Sequence, residues 1–233
     1  MTGPPNDGSR DPGIDPIVPD PVVGEARWHM AGAVLAAMVL TLLLPSEFRL
    51  GPPWLLPILE GALLIVLIFG DPGRISRRSS VLRGTSIALV TVLIAQSLWS
   101  TARLIDELIV GGPHTDKAGP LLAAASVVWI SNNLAFALLY WEVDSGGAAA
   151  RAHGLPELPD LAFPQQLNPH LAPPNWRPRF IDYLYLAFTN ATAFSPTDVM
   201  PLVPWAKITM TVQAVISLSI LGLVVARAVN VLT

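Results

Sequence analysis

What most constrains this chain is a set of five apolar blocks, each closed by proline, glycine or charged residues. They run roughly from Trp28 to Leu44, Trp54 to Phe69, Val81 to Trp99 (with a polar extension through Arg103), Ala118 to Trp141 and Trp205 to Leu232. A helix that crosses bilayer hydrocarbon needs about 20 mostly apolar residues. Each block therefore predicts a membrane-spanning helix. Trp28, Trp54, Trp99, Trp141 and Trp205 stand at or near the predicted ends, where an indole ring favours the headgroup level. Charged residues make up 13% of the chain, against about 25% in soluble domains, too few to cover a water-facing surface. The expected fold is all-α: a multi-pass bundle of about five transmembrane helices in the cell membrane, with the lipid bilayer as its first partner.

Several function classes are excluded. The 14 basic residues form no dense tract and the net charge is -3, so there is no electrostatic footprint for nucleic acid. There is no cysteine, which removes disulfides, thiol catalysis and Cys-based metal sites. His29, His114, His153 and His170 are scattered without zinc-ligand spacing. No glycine-rich phosphate loop or nucleophile elbow occurs. No enzyme activity, cofactor or metal is expected.

Four regions follow. Residues 1–26, rich in Pro, Gly and Asp, lack the basic start and apolar core of a secretory signal and predict a disordered tail. Residues 27–141 hold four predicted spans. The prolines of 142–179 forbid a long helix, so this is a water-side loop, packed on the protein through Phe163 and Trp176. Residues 180–233 hold the most informative stretch. Phe180 to Phe194 predicts a helix of about 22 Å, short of a hydrocarbon core of about 30 Å. Pro196 and Pro201 then interrupt the chain. Irregular backbone at membrane depth is tolerated only under a cover of protein or beside a water-filled cavity. A half-helix, a broken loop and a full helix together predict a re-entrant hairpin.

That order and spacing resembles the pore module of tetrameric cation channels of the potassium-channel superfamily. Tyr185-Leu-Ala-Phe-Thr189 and Thr192 stand in the pore-helix position, and Asp198 stands where the channels carry an acid after the filter. Pro201 to Lys207 resembles the run into the inner helix, and Val212-Gln213-Ala214 with Leu223 to Arg227 resembles that helix. The resemblance implies a homo-oligomer, a tetramer by analogy, with a monovalent cation as its permeant. The chain departs from it at the filter: Ala193-Phe194-Ser195-Pro196-Thr197-Asp198 has no glycine, and proline cannot supply the backbone angles that aim successive carbonyls at an ion. Permeation would fall to the hydroxyls of Thr192, Ser195 and Thr197, around Pro196, or to a ring of Asp198 carboxylates. The whole chain also resembles a group of bacterial multi-span membrane proteins sharing the segment Asn190 to Asp198, a resemblance that implies no activity. The alternative function is a non-conducting membrane scaffold or sensor that keeps the pore-loop fold.

Bland roles compete at each position. Asp198 serves equally as a turn cap. Asn132, Asn133, Gln96 and Gln213 lie inside predicted spans, where polar side chains bond across helices. Glu60 is the sharper candidate, because a carboxylate inside a span is expensive and marks function by default; its place near the start of the second block also lets it reach water. Arg74, Arg77, Arg78 and Arg83 form a loop cluster suited to anionic headgroups. Basic loops on the N-terminal side place that side in the cytoplasm, whereas the channel resemblance asks for a hairpin entering from outside. A full crossing by residues 180–203 would reconcile the two.

Overall fold

The computed structural model describes residues 24–154, 158–192 and 198–232. The expected tail falls outside them up to residue 23, as do Ser195, Pro196 and Thr197. The described residues are mainly helical. Its main elements are α1 (Trp28–Leu43), α2 (Leu55–Gly70), α3 (Ser80–Val110), α4 (Ala118–Val143), α7 (Phe180–Thr192) and α8 (Pro204–Leu232). Two short helices, α5 (Ala148–Ala152) and α6 (Pro164–Leu167), lie in the proline-rich stretch. Among the described residues the only strands are two-residue pieces: β1 (Glu25–Ala26) pairs with β2 (Arg74–Ile75), and β3 (Leu161–Ala162) with β4 (Met200–Pro201), both antiparallel.

Three helices, α3, α4 and α8, are long and apolar enough to cross a membrane. α1 and α2 are apolar but have 16 residues each, which is about 24 Å of helix. α4 is the axis of the bundle, touching α1, α3, α7 and α8, while α2 lies outside against α1 and α3. Ala124, Ala125, Ala135 and Ala137 are buried on α4, and their small side chains let neighbouring backbones approach closely. The outward faces are apolar: Leu35, Val39 and Leu42 on α1, Ile58, Ile65 and Phe69 on α2, Ile208, Val215 and Leu218 on α8 are all exposed. Water-soluble monomers rarely leave so much contiguous apolar surface uncovered, and a lipid surrounding suits it.

Two boundaries differ from the sequence expectation. α3 continues past Trp99 and Arg103 to Val110, giving 31 residues, about 46 Å. Its last turns carry an Arg103–Asp106 ion pair one turn apart and bury Leu104 and Leu108 in the core, so charge here marks an exposed face rather than a helix end. Gly111 stops the helix with φ 91°, a conformation that glycine adopts without strain. Trp141 is buried and donates its indole N–H to Glu25 at 2.7 Å; it is a core residue and not a headgroup anchor.

The segment that leads to α7 is ordered by one carboxylate. Asp144 Oδ1 accepts hydrogen bonds from the Ser145 hydroxyl and from the backbone N–H groups of Asp160 and Leu161. Its Oδ2 accepts from the Tyr183 hydroxyl at 2.5 Å. Phe163 packs between Tyr183 and Trp176. α7 starts at this same end, with the Phe180 N–H on Glu25. The chain beyond α7 comes back there: Leu161 pairs with Pro201, and the Leu202 N–H donates to the Asp160 carbonyl at 2.9 Å.

Candidate functional site: a polar layer between two apolar cores

The buried apolar residues form two clusters rather than one. The first gathers Ala37, Leu64, Leu93, Ala135 and Met210; the second gathers Leu44, Leu104, Val128 and Ile220. On four helices the buried residues between the clusters are polar. α1 has Thr41; α3 has Gln96, Ser97, Ser100 and Thr101; α4 has Asn132 and Asn133; α8 has Gln213 and Ser217. Glu60 of α2 lies one turn before Leu64, on the stripe Leu56, Glu60, Leu64 and Leu67 that faces inward. The sequence therefore places a polar stratum across the bundle, with five helices contributing.

Two parts of the stratum behave differently. One part is fully bonded. Gln213 Oε1 accepts from the Tyr140 hydroxyl and from Asn190 Nδ2, each at 2.8 Å, and Gln213 Nε2 donates to the Ala187 carbonyl at 3.0 Å. Asn190 Nδ2 also donates to the Met210 carbonyl. This knot ties α7 to α4 and α8. Gln96 is committed as well: its Oε1 accepts from the Leu50 N–H at 2.8 Å and its Nε2 donates to Ser100 Oγ at 2.9 Å, which fastens the α1–α2 connection to α3.

The other part is unpaired. Both carboxylate oxygens of Glu60, the hydroxyls of Ser97, Thr101 and Ser217, and both amide atoms of Asn132 have no protein hydrogen-bond partner among the described residues. Glu60, Asn132 and Ser217 are all 0% exposed. Buried polar atoms are nearly always satisfied, and an uncompensated carboxylate in low dielectric is far costlier than an amide. Such a group must share its site with a proton or a cation. Carboxylate, hydroxyl and amide oxygens are hard donors suited to a small cation. Among the described residues no group of three or more His, Asp or Glu side chains converges, so the stratum offers one carboxylate among neutral dipoles.

Of the filter-like candidates, the described residues include Thr192 and Asp198. Thr192 donates its hydroxyl to the Thr189 carbonyl of its own helix at 2.9 Å. Asp198 is exposed. Ser195, Pro196 and Thr197 lie outside the described residues. Asn133 donates Nδ2 to the Trp129 carbonyl one turn back, and its Oδ1 is unpaired. Sequence reasoning named Glu60, Asn132 and Gln213 but missed Ser97, Thr101 and Ser217. The signal was present: Ser97 and Thr101, and Gln213 and Ser217, are each four residues apart in otherwise apolar helices, which puts each pair on one face.

No family model, curated protein or solved structure matches the chain. The class that the fold defines is a helical membrane protein, with at least three helices able to cross the bilayer.

Proposed function

We propose that this chain is a five-span protein of the cell membrane that binds and passes a monovalent cation, the proton included, at the stratum around Glu60. In this reading α1 and α2 are short spans and α7 is a re-entrant half-helix. The observation that carries it is the fully buried Glu60 carboxylate without a protein partner. An intramembrane carboxylate is retained for ion or proton handling far more often than for stability.

The hairpin reading has its own support. α7 has 13 residues, about 20 Å, and the chain on both sides of it lies at one end of the bundle, beside Glu25 and Asp160. The Gln213 knot satisfies the polar atoms that a half-helix brings to membrane depth, as broken helices require. One hairpin cannot enclose a pore, so a channel-like reading calls for a homo-oligomer, four copies by the resemblance. The exposed face of α7, with Ile181, Tyr185 and Phe188, is apolar enough to meet a second copy or lipid. Reconstitution into liposomes tests the function: a gradient of Na+, K+ or H+ should collapse faster with protein than without. A folded, membrane-inserted preparation that passes none of the three contradicts it.

The non-conducting scaffold or sensor is the second reading. It is favoured by the inward commitment of α7: Thr189, Asn190 and Thr192 all spend their side chains on bonds within the chain. It predicts liposomes as tight as empty ones.

A further inference from the structure

Far from the polar stratum, at the end of the bundle that carries β1 and β2, a cavity of about 520 Å³ opens between Gly24–Ala26, α5 and the loop 173–179. Its charge is one-sided. Arg74, Arg151, Arg177 and Arg179 line it, with Glu25 as the only acid of the lining. Glu25 is already spent on two donors, the Trp141 indole N–H at 2.7 Å and the Phe180 N–H at 2.6 Å. Among the described residues none of the four arginines forms an ion pair.

Arg151 is the residue that gives the cavity a built donor. It is 8% exposed. Its Nη1 donates to the Trp141 carbonyl at 2.8 Å and to the Asp144 carbonyl at 2.7 Å. Its guanidinium lies over the Tyr183 ring at 5.0 Å and near the Trp141 ring at 5.9 Å. Those contacts fix the guanidinium plane, yet Nη2 is buried without an acceptor among the described residues. The adjacent Asp144 carboxylate makes no ion pair with it, both its oxygens being bonded to Ser145, Asp160, Leu161 and Tyr183. At the rim, Arg74 reaches only the Gly24 carbonyl at 3.4 Å, and Arg177 donates to the Ala152 carbonyl. Arg179 is exposed and interacts with Asp182 at longer range.

A buried, oriented and under-used guanidinium, ringed by three more, is a receptor for an anion with several oxygens. The planar fork of arginine matches phosphate better than it matches a spherical ion. We propose that this cavity binds a phosphate-bearing anion, with the Arg151 guanidinium at its inner wall and Arg74 and Arg179 at its rim. A phospholipid headgroup and a soluble phosphate share that chemistry. The exposed Trp28 at the start of α1, stacked on His29 of the cavity wall, sets the opening near headgroup level.

The test uses the full chain. Its thermal unfolding midpoint is followed in detergent against inorganic phosphate, with chloride matched in ionic strength, and in nanodiscs of phosphatidylcholine with and without phosphatidylglycerol. The wild type should be stabilised by one probe or both. A response to phosphate identifies a soluble anion, and a response to phosphatidylglycerol alone identifies a lipid headgroup. Arg151→Lys keeps the charge but loses the fork, and should weaken binding about tenfold. Because Arg151 also braces α5, the exposed pair Arg74→Gln and Arg179→Gln provides the control that leaves the fold intact, and should weaken binding by a similar factor. A folded wild type indifferent to both probes, or a double variant that responds as the wild type does, overturns the proposal.

Discussion

At the scale of single residues, Gln213 and Glu60 are both buried polar side chains in apolar helices, yet their surroundings give them opposite roles. Gln213 uses its oxygen twice and its nitrogen once, on two other helices, α4 and α7. Gln213→Leu removes all of these bonds and strands the Tyr140 hydroxyl, while Asn190 Nδ2 keeps the Met210 carbonyl. A buried donor left without its acceptor costs about 1–3 kcal/mol, so the variant should lose stability by about that much in detergent unfolding, with cation flux per folded molecule changed little. Arg27 and Asp71 make a second contrast. They form a buried pair at 3.2 Å, and Asp71 also takes the backbone N–H groups of Ser76 and Arg77. Burial lowers the pKa of the Arg27 guanidinium, while the Asp71 charge and hydrogen bond oppose that shift. Arg27→Ala leaves a buried carboxylate uncompensated, and the loss should be about 3–5 kcal/mol, read as a lower unfolding midpoint. Residue types at these positions were legible in the sequence. Which of them were bonded was not, because each knot gathers side chains from helices far apart in the chain.

At the scale of elements, apolar blocks and proline breaks placed the main helices to within a few residues, apart from the end of α3. There the polar extension through Arg103 marks the expected end, whereas Arg103 pairs with Asp106 on the exposed side of a continuing helix. Composition also concealed the role of Asp144, which holds the proline-rich segment to Tyr183 across 39 residues. The element of most consequence is α7. If it is a re-entrant half-helix, its two ends open to the same side of the membrane. Single cysteines, introduced at Ile181 and at Met200 of this cysteine-free chain, should then both react with an impermeant maleimide added to one and the same side. Labelling from opposite sides would mean that residues 180–203 cross completely.

At the scale of the whole molecule, two apolar clusters are separated by a polar stratum. Apolar packing above and below holds the helices together. The unpaired part of the stratum around Glu60 adds little stability, since unpaired polar atoms weaken a bundle in lipid. Glu60→Leu should accordingly fold at least as well as the wild type, by the argument that replacing an uncompensated charge with a hydrophobe is neutral or stabilising; the unfolding midpoint checks this. A costly carboxylate that stability does not require is what an ion-handling role explains. The most direct measurement is cation and proton flux into liposomes that contain equal amounts of inserted wild type, Glu60→Asp and Glu60→Gln. The account predicts flux from the wild type, partial flux from Glu60→Asp and at least a tenfold loss from Glu60→Gln. Equal flux from the wild type and Glu60→Gln would contradict it.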